Sequence, residues 1–220
     1  MAEYDPHEPD PAPGNFEPDF LKMVTPLRLV FWGGILCLID VTVNGFDLLN
    51  DVLGMLLITI GVFRLGAIPV ARSNARGMTF VKLVAVLSTL LTFLNQFTFV
   101  KPPPLAFVWA TFGLVELAAT IVFCAAMRRV CGVSGLAGPA ASWKTTTVLF
   151  VVLHALPLGC LYVAVLIAVL AGTSFHTKLG PEALLVLIPL FIPLIHFFVS
   201  TSRMRRAALK AAAASVGMSA

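Results

Sequence analysis

Asp40 to Gly54, DVTVNGFDLLNDVLG, ends one continuous apolar segment and begins another. It carries Asp40, Asp47 and Asp51 together with Asn44 and Asn50. Between residues 26 and 202 the only other acids are Glu116 and Glu182, so this short stretch holds three of the five. Asn44-Gly45 is a turn signal, and Asp47 is placed to cap a following helix. The stretch therefore reads as the polar end of a hairpin between two apolar helices.

The composition outside it sets the scale of that hairpin. Of 220 residues, 59% are hydrophobic and 12% are charged, about half the charged share of a soluble domain. The mean hydropathy is +0.95. Several apolar runs approach or exceed the roughly 20 residues that cross a bilayer as a helix, which makes this an all-α, polytopic integral membrane protein. A net charge of +4 and a pI near 9.1 do not point to nucleic acid, because the charges sit in tails and short loops around apolar spans. Cys37, Cys124, Cys131 and Cys160 lack metal-ligand spacing and read as small core residues.

Six spans follow along the chain. Residues 1–25 hold six acids and five prolines, and read as a disordered acidic tail; lacking a basic start and a cleavage site, they do not resemble a signal peptide. Helices are expected over 26–43, 48–70, 79–100, 105–127, 145–171 and 181–201, making 26–202 the membrane domain. The basic loop 71–78 and a Gly/Ser/Ala loop, RRVCGVSGLAGPAASWK, join helices on one side. Trp143, in the second loop, suits a membrane interface. Pro157 predicts a bend in the fifth helix, and Pro189 and Pro193 an irregular sixth. Residues 203–220 form a basic tail suited to the membrane surface.

Of fifteen Lys and Arg, only Lys101 and Lys178 fall in the loops after the third and fifth helices, and none in the loop after the first. By the positive-inside rule both termini are cytoplasmic. Asp40, Asp47 and Asp51 then share the outer face, where close carboxylates either collect a cation or simply cap helices and satisfy turn amides. The DxDxDG pattern of a dedicated calcium loop is absent, and helix capping is the favoured reading. Glu116 falls near the midplane, where a charge facing lipid costs at least about 2.5 kcal/mol, so it should face the bundle interior. Arg64 and His154 are its candidate partners by depth. A Glu116 to Arg64 pair would fix helix register; the rival readings are a proton or ion relay and a glutamate that is simply protonated.

His154, His176 and His196 lie at different depths, and no HExxH, GxSxG or Walker sequence occurs. No catalytic residue, metal ligand or cofactor is assigned. Ala164, Ala168 and Gly172 form a small-residue stripe that predicts close helix packing. Nor do the two halves share a polar pattern of the kind inverted-repeat transporters carry.

The run from Asp47 to Gly54, followed by MLLITIGVFRL, resembles a D-L-L-P-D-x-x-G motif of small, uncharacterised bacterial multi-pass membrane proteins. Here Asn50 stands in place of the motif's proline and Met55 in place of an aromatic residue. The resemblance covers about 25 residues and implies a bacterial inner-membrane protein with no activity attached. The expected function is a non-enzymatic structural or interaction subunit. Its basic C-terminal tail would hold anionic lipid, and its acidic tail would meet a membrane or cytosolic protein partner. The alternative is a small transporter or ion- or proton-conducting protein using Glu116, with the outer aspartates attracting cations.

Overall fold

The computed structural model describes residues 20–38, 50–95, 103–172 and 183–217, which are helical apart from short turns. Four helical stretches among them are long and apolar enough to cross a membrane: Phe20–Leu38, Ala75–Leu94, Val108–Val133 and Ala137–Leu170. Their outward faces are rich in apolar side chains, such as Leu83, Leu90 and Leu94. That inverts the usual surface of a soluble domain and fits lipid as solvent.

The elements are α1 (Phe20–Leu38), α2 (Asn50–Ala67), a 3-10 segment (Pro69–Asn74), α3 (Ala75–Asn95), α4 (Pro103–Val133), α5 (Ala137–Phe150), a π-helical turn (Val151–Ala155), α6 (Leu156–Leu170) and α7 (Ala183–Gly217). Helix α1 packs on α2, α2 on α3, α3 on α4, α4 on α5 and α5 on α7, and α7 returns to α1. The described helices thus close a ring.

Glycine sets how tightly that ring starts. A methyl group on Gly33 would come within 2.6 Å of the Gly54 carbonyl, and one on Gly61 within 2.9 Å of the Pro26 carbonyl. Backbone therefore meets backbone along the whole α1/α2 seam, as small residues allow in membranes. On its other flank, α1 presents Gly34 to the Phe198 ring of α7. Between α2 and α3 the tie is polar. The Thr59 and Thr89 hydroxyls are 2.9 Å apart, and Thr59 donates to the Ala85 carbonyl at 3.1 Å.

Several expected boundaries move, each for a packing reason. Helix α1 begins at Phe20 and carries Pro26 inside it; buried Met23 and Leu27 hold this first part against the bundle, so residues 20–25 do not belong to the tail. The basic loop 71–78 is instead the 3-10 segment and the start of α3. Ile68, Val70, Ala71 and Met78 are buried there, and Arg129 donates to the Asn74 side chain at 3.2 Å.

The long Gly/Ser/Ala loop contracts to a turn at Ser134 to Leu136. Helix α4 continues because Val130 and Cys131 belong to the core. It stops at Gly135, whose φ of +71° is the left-handed conformation glycine tolerates. The Leu136 amide bonds the Cys131 carbonyl and the Gly135 amide that of Gly132, a Schellman cap. Trp143 is not interfacial but fully buried, edge-on to Phe123 and Phe197, with its indole N–H donating to Met204 Sδ at 3.3 Å.

Pro157 perturbs its helix by way of the π turn that precedes it. A widened turn accommodates the missing amide and the clash of the ring with the carbonyl four residues back. Pro189 and Pro193, by contrast, sit inside one uninterrupted 35-residue helix, α7. That helix runs on through the basic tail, because Met204, Ala208 and Ala212, spaced by four, are buried on the bundle. The tail is not a separate surface segment. Along the Ala164, Ala168 and Gly172 stripe no residue of α6 is buried, and among the described residues the close backbone approach occurs instead at Gly33, Gly54 and Gly61.

Gly33→Val should lower stability by about 1–3 kcal/mol through overpacking, read as an earlier thermal transition in detergent. Gly113→Ala, where nothing lies within 4 Å of an added Cβ, should leave the transition unchanged or slightly raised. Equal effects at the two positions would contradict the glycine seam.

Candidate functional site

The described core is uneven along the bundle axis. Met23, Leu27, Leu65, Met127, Trp143 and Met204 fill the end that carries the α2–α3 and α4–α5 connections. Beyond that plug lies a half-open cavity of about 320 Å³, within the range of about 300–1,000 Å³ typical of ligand pockets. Every helix of the ring contributes to it: Cys37 from α1, Met55 and Ile58 from α2, Ser88 from α3, Glu116 from α4, Phe150 from α5 and Phe197 from α7 are among the lining residues.

Glu116 is half-buried and, among the described residues, is the one carboxylate in a lining that is otherwise almost wholly aliphatic and aromatic. The expectation that it faces the bundle interior matches its position in this wall. Thr120, one turn on, returns its hydroxyl to the Glu116 backbone carbonyl at 2.9 Å and leaves the carboxylate to the cavity. Cys37 faces the same space and feels the charges of Glu116 and Asp51; its thiol reaches the Asp51 carbonyl at 3.8 Å.

Neither proposed partner pairs with Glu116 among the described residues. On α2, Met55, Ile58 and Val62 line the cavity; Arg64 lies two residues past Val62, about 200° around a helix of 3.6 residues per turn. It is exposed and borders a separate groove with Lys22. His154 follows Gly135 by nineteen residues and Glu116 precedes it by nineteen, so the α4–α5 hairpin sets them at one level. The 2.9 Å contact between the Thr111 and Tyr162 hydroxyls confirms that register. Even so, the His154 ring lies against Phe150 at 5.3 Å, and its Nδ1 is buried without a hydrogen-bond partner among the described residues.

Of the outer cluster, Asp51 stands in the first turn of α2, where a carboxylate favours the helix dipole. Asp40 and Asp47 lie outside the described residues. Among the described residues no group of three His, Cys, Asp or Glu is placed to hold a metal ion.

One polar constellation escaped the sequence reading. Ser142 and Thr146 on α5 meet His196 and Ser200 on α7: Ser142 and Ser200 hydroxyls are 2.8 Å apart, Thr146 and Ser200 2.7 Å, and Thr146 Oγ1 lies 2.8 Å from His196 Nδ1. Each pair is spaced i, i+4 within an apolar helix, the one sequence signal that points to it. Ser200 and Thr146 are fully buried, and among the described residues no carboxylate orients the imidazole. The cluster therefore works as interhelical hydrogen bonding, the polar glue of membrane bundles.

Compared with known proteins, the chain matches no family model, no curated protein and no solved structure.

Ser200→Ala would strip both the Ser142 and the Thr146 hydroxyls of a buried partner. The expected cost is about 1–3 kcal/mol, seen as a lower unfolding temperature in detergent. An unchanged temperature would mean that the α5/α7 contact does not depend on this cluster.

Proposed function

We propose that the chain is a six-span protein of a bacterial cytoplasmic membrane, with both termini cytoplasmic, and that it is a small transporter whose binding chamber is the Glu116 cavity. Orientation rests on the distribution of Lys and Arg, and the bacterial setting on the likeness of Asp47 to Gly54 to a motif of such proteins. The observation that carries the transport reading is a single carboxylate, among the described residues, in the wall of an apolar chamber to which every helix of the ring contributes.

The chemistry of that wall narrows the cargo. A bare metal cation needs about six oxygen ligands, and the lining supplies the Glu116 carboxylate with the Ser88 and Thr120 hydroxyls. Proton conduction alone needs a chain of polar groups, which the lining does not offer. Phe123, Phe150, Phe197 and Phe198 give aromatic surface that attracts an organic cation through its ring faces. A molecule with an apolar body and one positive charge fits both halves of the lining.

A second reading is an interaction subunit, non-enzymatic, with the bilayer and a membrane or cytosolic protein as its partners. It draws on α6, which has no buried residue and exposes Leu161, Ile167 and Leu170.

Purified protein should bind tetraphenylphosphonium saturably, and Glu116→Gln should weaken that binding about tenfold or more, a difference of about 1.4 kcal/mol per decade. Proteoliposomes should accumulate the same probe with wild type and not with Glu116→Gln. Equal, non-saturable binding and equal zero flux in both proteins would remove the transporter reading in favour of the subunit. For topology, reporters fused after Asn44 and after Gly135 should report opposite sides of the membrane; the same side for both would refute six spans in this order.

A further inference from the structure

At the other end of the α1/α2 seam from the cavity mouth, the two helices leave a groove lined by Leu21, Lys22, Thr25, Pro26, Arg64 and Ile68, with Ala67 and Pro69 beside them. The glycine seam fixes its level. Gly61 lies against Pro26 and Val30, so the next turn of α2, with Arg64, comes beside the first turns of α1, with Lys22. Both positions are within one turn of a helix end, which is where a membrane helix passes from hydrocarbon into the headgroup layer.

We infer that this groove holds the phosphate of an anionic lipid. The inference is independent of Glu116 and of transport. Among the described residues Lys22 and Arg64 are the charged members of the lining, both positive, and Thr25 adds a hydroxyl to it. Among the described residues Arg64 has no carboxylate at ion-pair distance, although it lies on an apolar helix where an unpaired charge is costly. A guanidinium answers a phosphodiester with two parallel hydrogen bonds, and a lysine adds a point charge without demanding a geometry.

The remaining lining decides between a lipid and a soluble phosphate. Leu21, Ala67 and Pro69 present exposed apolar surface, and Leu21 is 59% exposed. Inorganic phosphate has nothing to offer that surface. A phospholipid covers it with glycerol and the first methylenes of its chains while its headgroup meets the two cations. The cations of α7 beyond Met204, Arg205, Arg206 and Lys210, belong to a different helix, so the groove and the tail are separable by mutation.

Native mass spectrometry of the full chain in detergent, with phosphatidylglycerol or phosphatidylcholine added, tests this. Wild type should retain one phosphatidylglycerol in preference to phosphatidylcholine. The Lys22→Gln/Arg64→Gln double variant should lose that preference by about tenfold, whereas Arg64→Lys should keep most of it and Arg206→Gln/Lys210→Gln should keep it fully. Circular dichroism melts establish that the double variant is folded; should it unfold, the single Arg64→Gln variant carries the comparison, with a loss of at least threefold expected. Glycerol 3-phosphate at millimolar concentration should not displace the lipid. Three results overturn the assignment: an unchanged preference in the folded variants, loss in the α7 double variant instead, or displacement by glycerol 3-phosphate, which would make the ligand a soluble phosphate.

Discussion

The approach of α1 to α2 across Gly33, Gly54 and Gly61 is the contact on which the rest of the bundle depends. In lipid there is no hydrophobic drive to bring two apolar helices together, so shape and dispersion do it. Removing side chains at the seam lets many backbone atoms touch at once. With α2 this near, α1 can also reach α7, where Gly34 accepts the Phe198 ring, and the ring of helices closes. The same economy leaves a void. Gly34 lines the cavity and contributes no bulk to fill it.

The cavity has a floor because the opposite end is overfilled by comparison. Met, Trp and Leu side chains from α1, α2, α4, α5 and α7 interlock there, with Trp143 at the centre. Glu116 stands on α4 between that plug and the helix start, and Phe123, two turns further, belongs to both the core and the cavity wall. A carboxylate in this position escapes lipid without entering close packing, and the partly open chamber gives it access to a cation or a proton. Off the axis, the hydroxyls of Thr59 and Thr89 and the Ser142, Thr146, His196 and Ser200 cluster spend their polarity on neighbouring helices. Among the described residues these polar groups hold helices together, whereas the Glu116 carboxylate borders the cavity.

What could be read in advance follows from which properties are one-dimensional. Apolar length depends on counting along the chain, and four of the expected apolar helices survive in the structure as stretches long enough to cross a membrane. Rotation about a helix axis does not. Placing Arg64 with Glu116 used depth alone, and the α2 face that lines the cavity excludes Arg64. Composition misled where small residues serve packing: RRVCGVSGLAGPAASWK has the content of a loop, yet it lies in α4 and α5 except at its turn, because Val130, Cys131 and Trp143 are core residues. Prolines misled in the opposite sense. Pro189 and Pro193 lie within a continuous α7, while only Pro157 is accompanied by a π turn.

The separation of Arg64 from Glu116 follows from the lengths of their side chains. An arginine has a stem long enough to carry its charge to the headgroup layer while its methylenes stay in hydrocarbon. Arg64 is accordingly exposed near the end of α2. A glutamate near the midplane is too short for that. It must be given an interior, and an interior shared with arginine would join the two charges into a silent pair whose attraction barely exceeds the cost of desolvating both. Turning Arg64 outward by about 200° leaves the Glu116 side chain without an arginine partner among the described residues. The aromatic-walled chamber of about 320 Å³ beside Glu116 is the space its side chain borders.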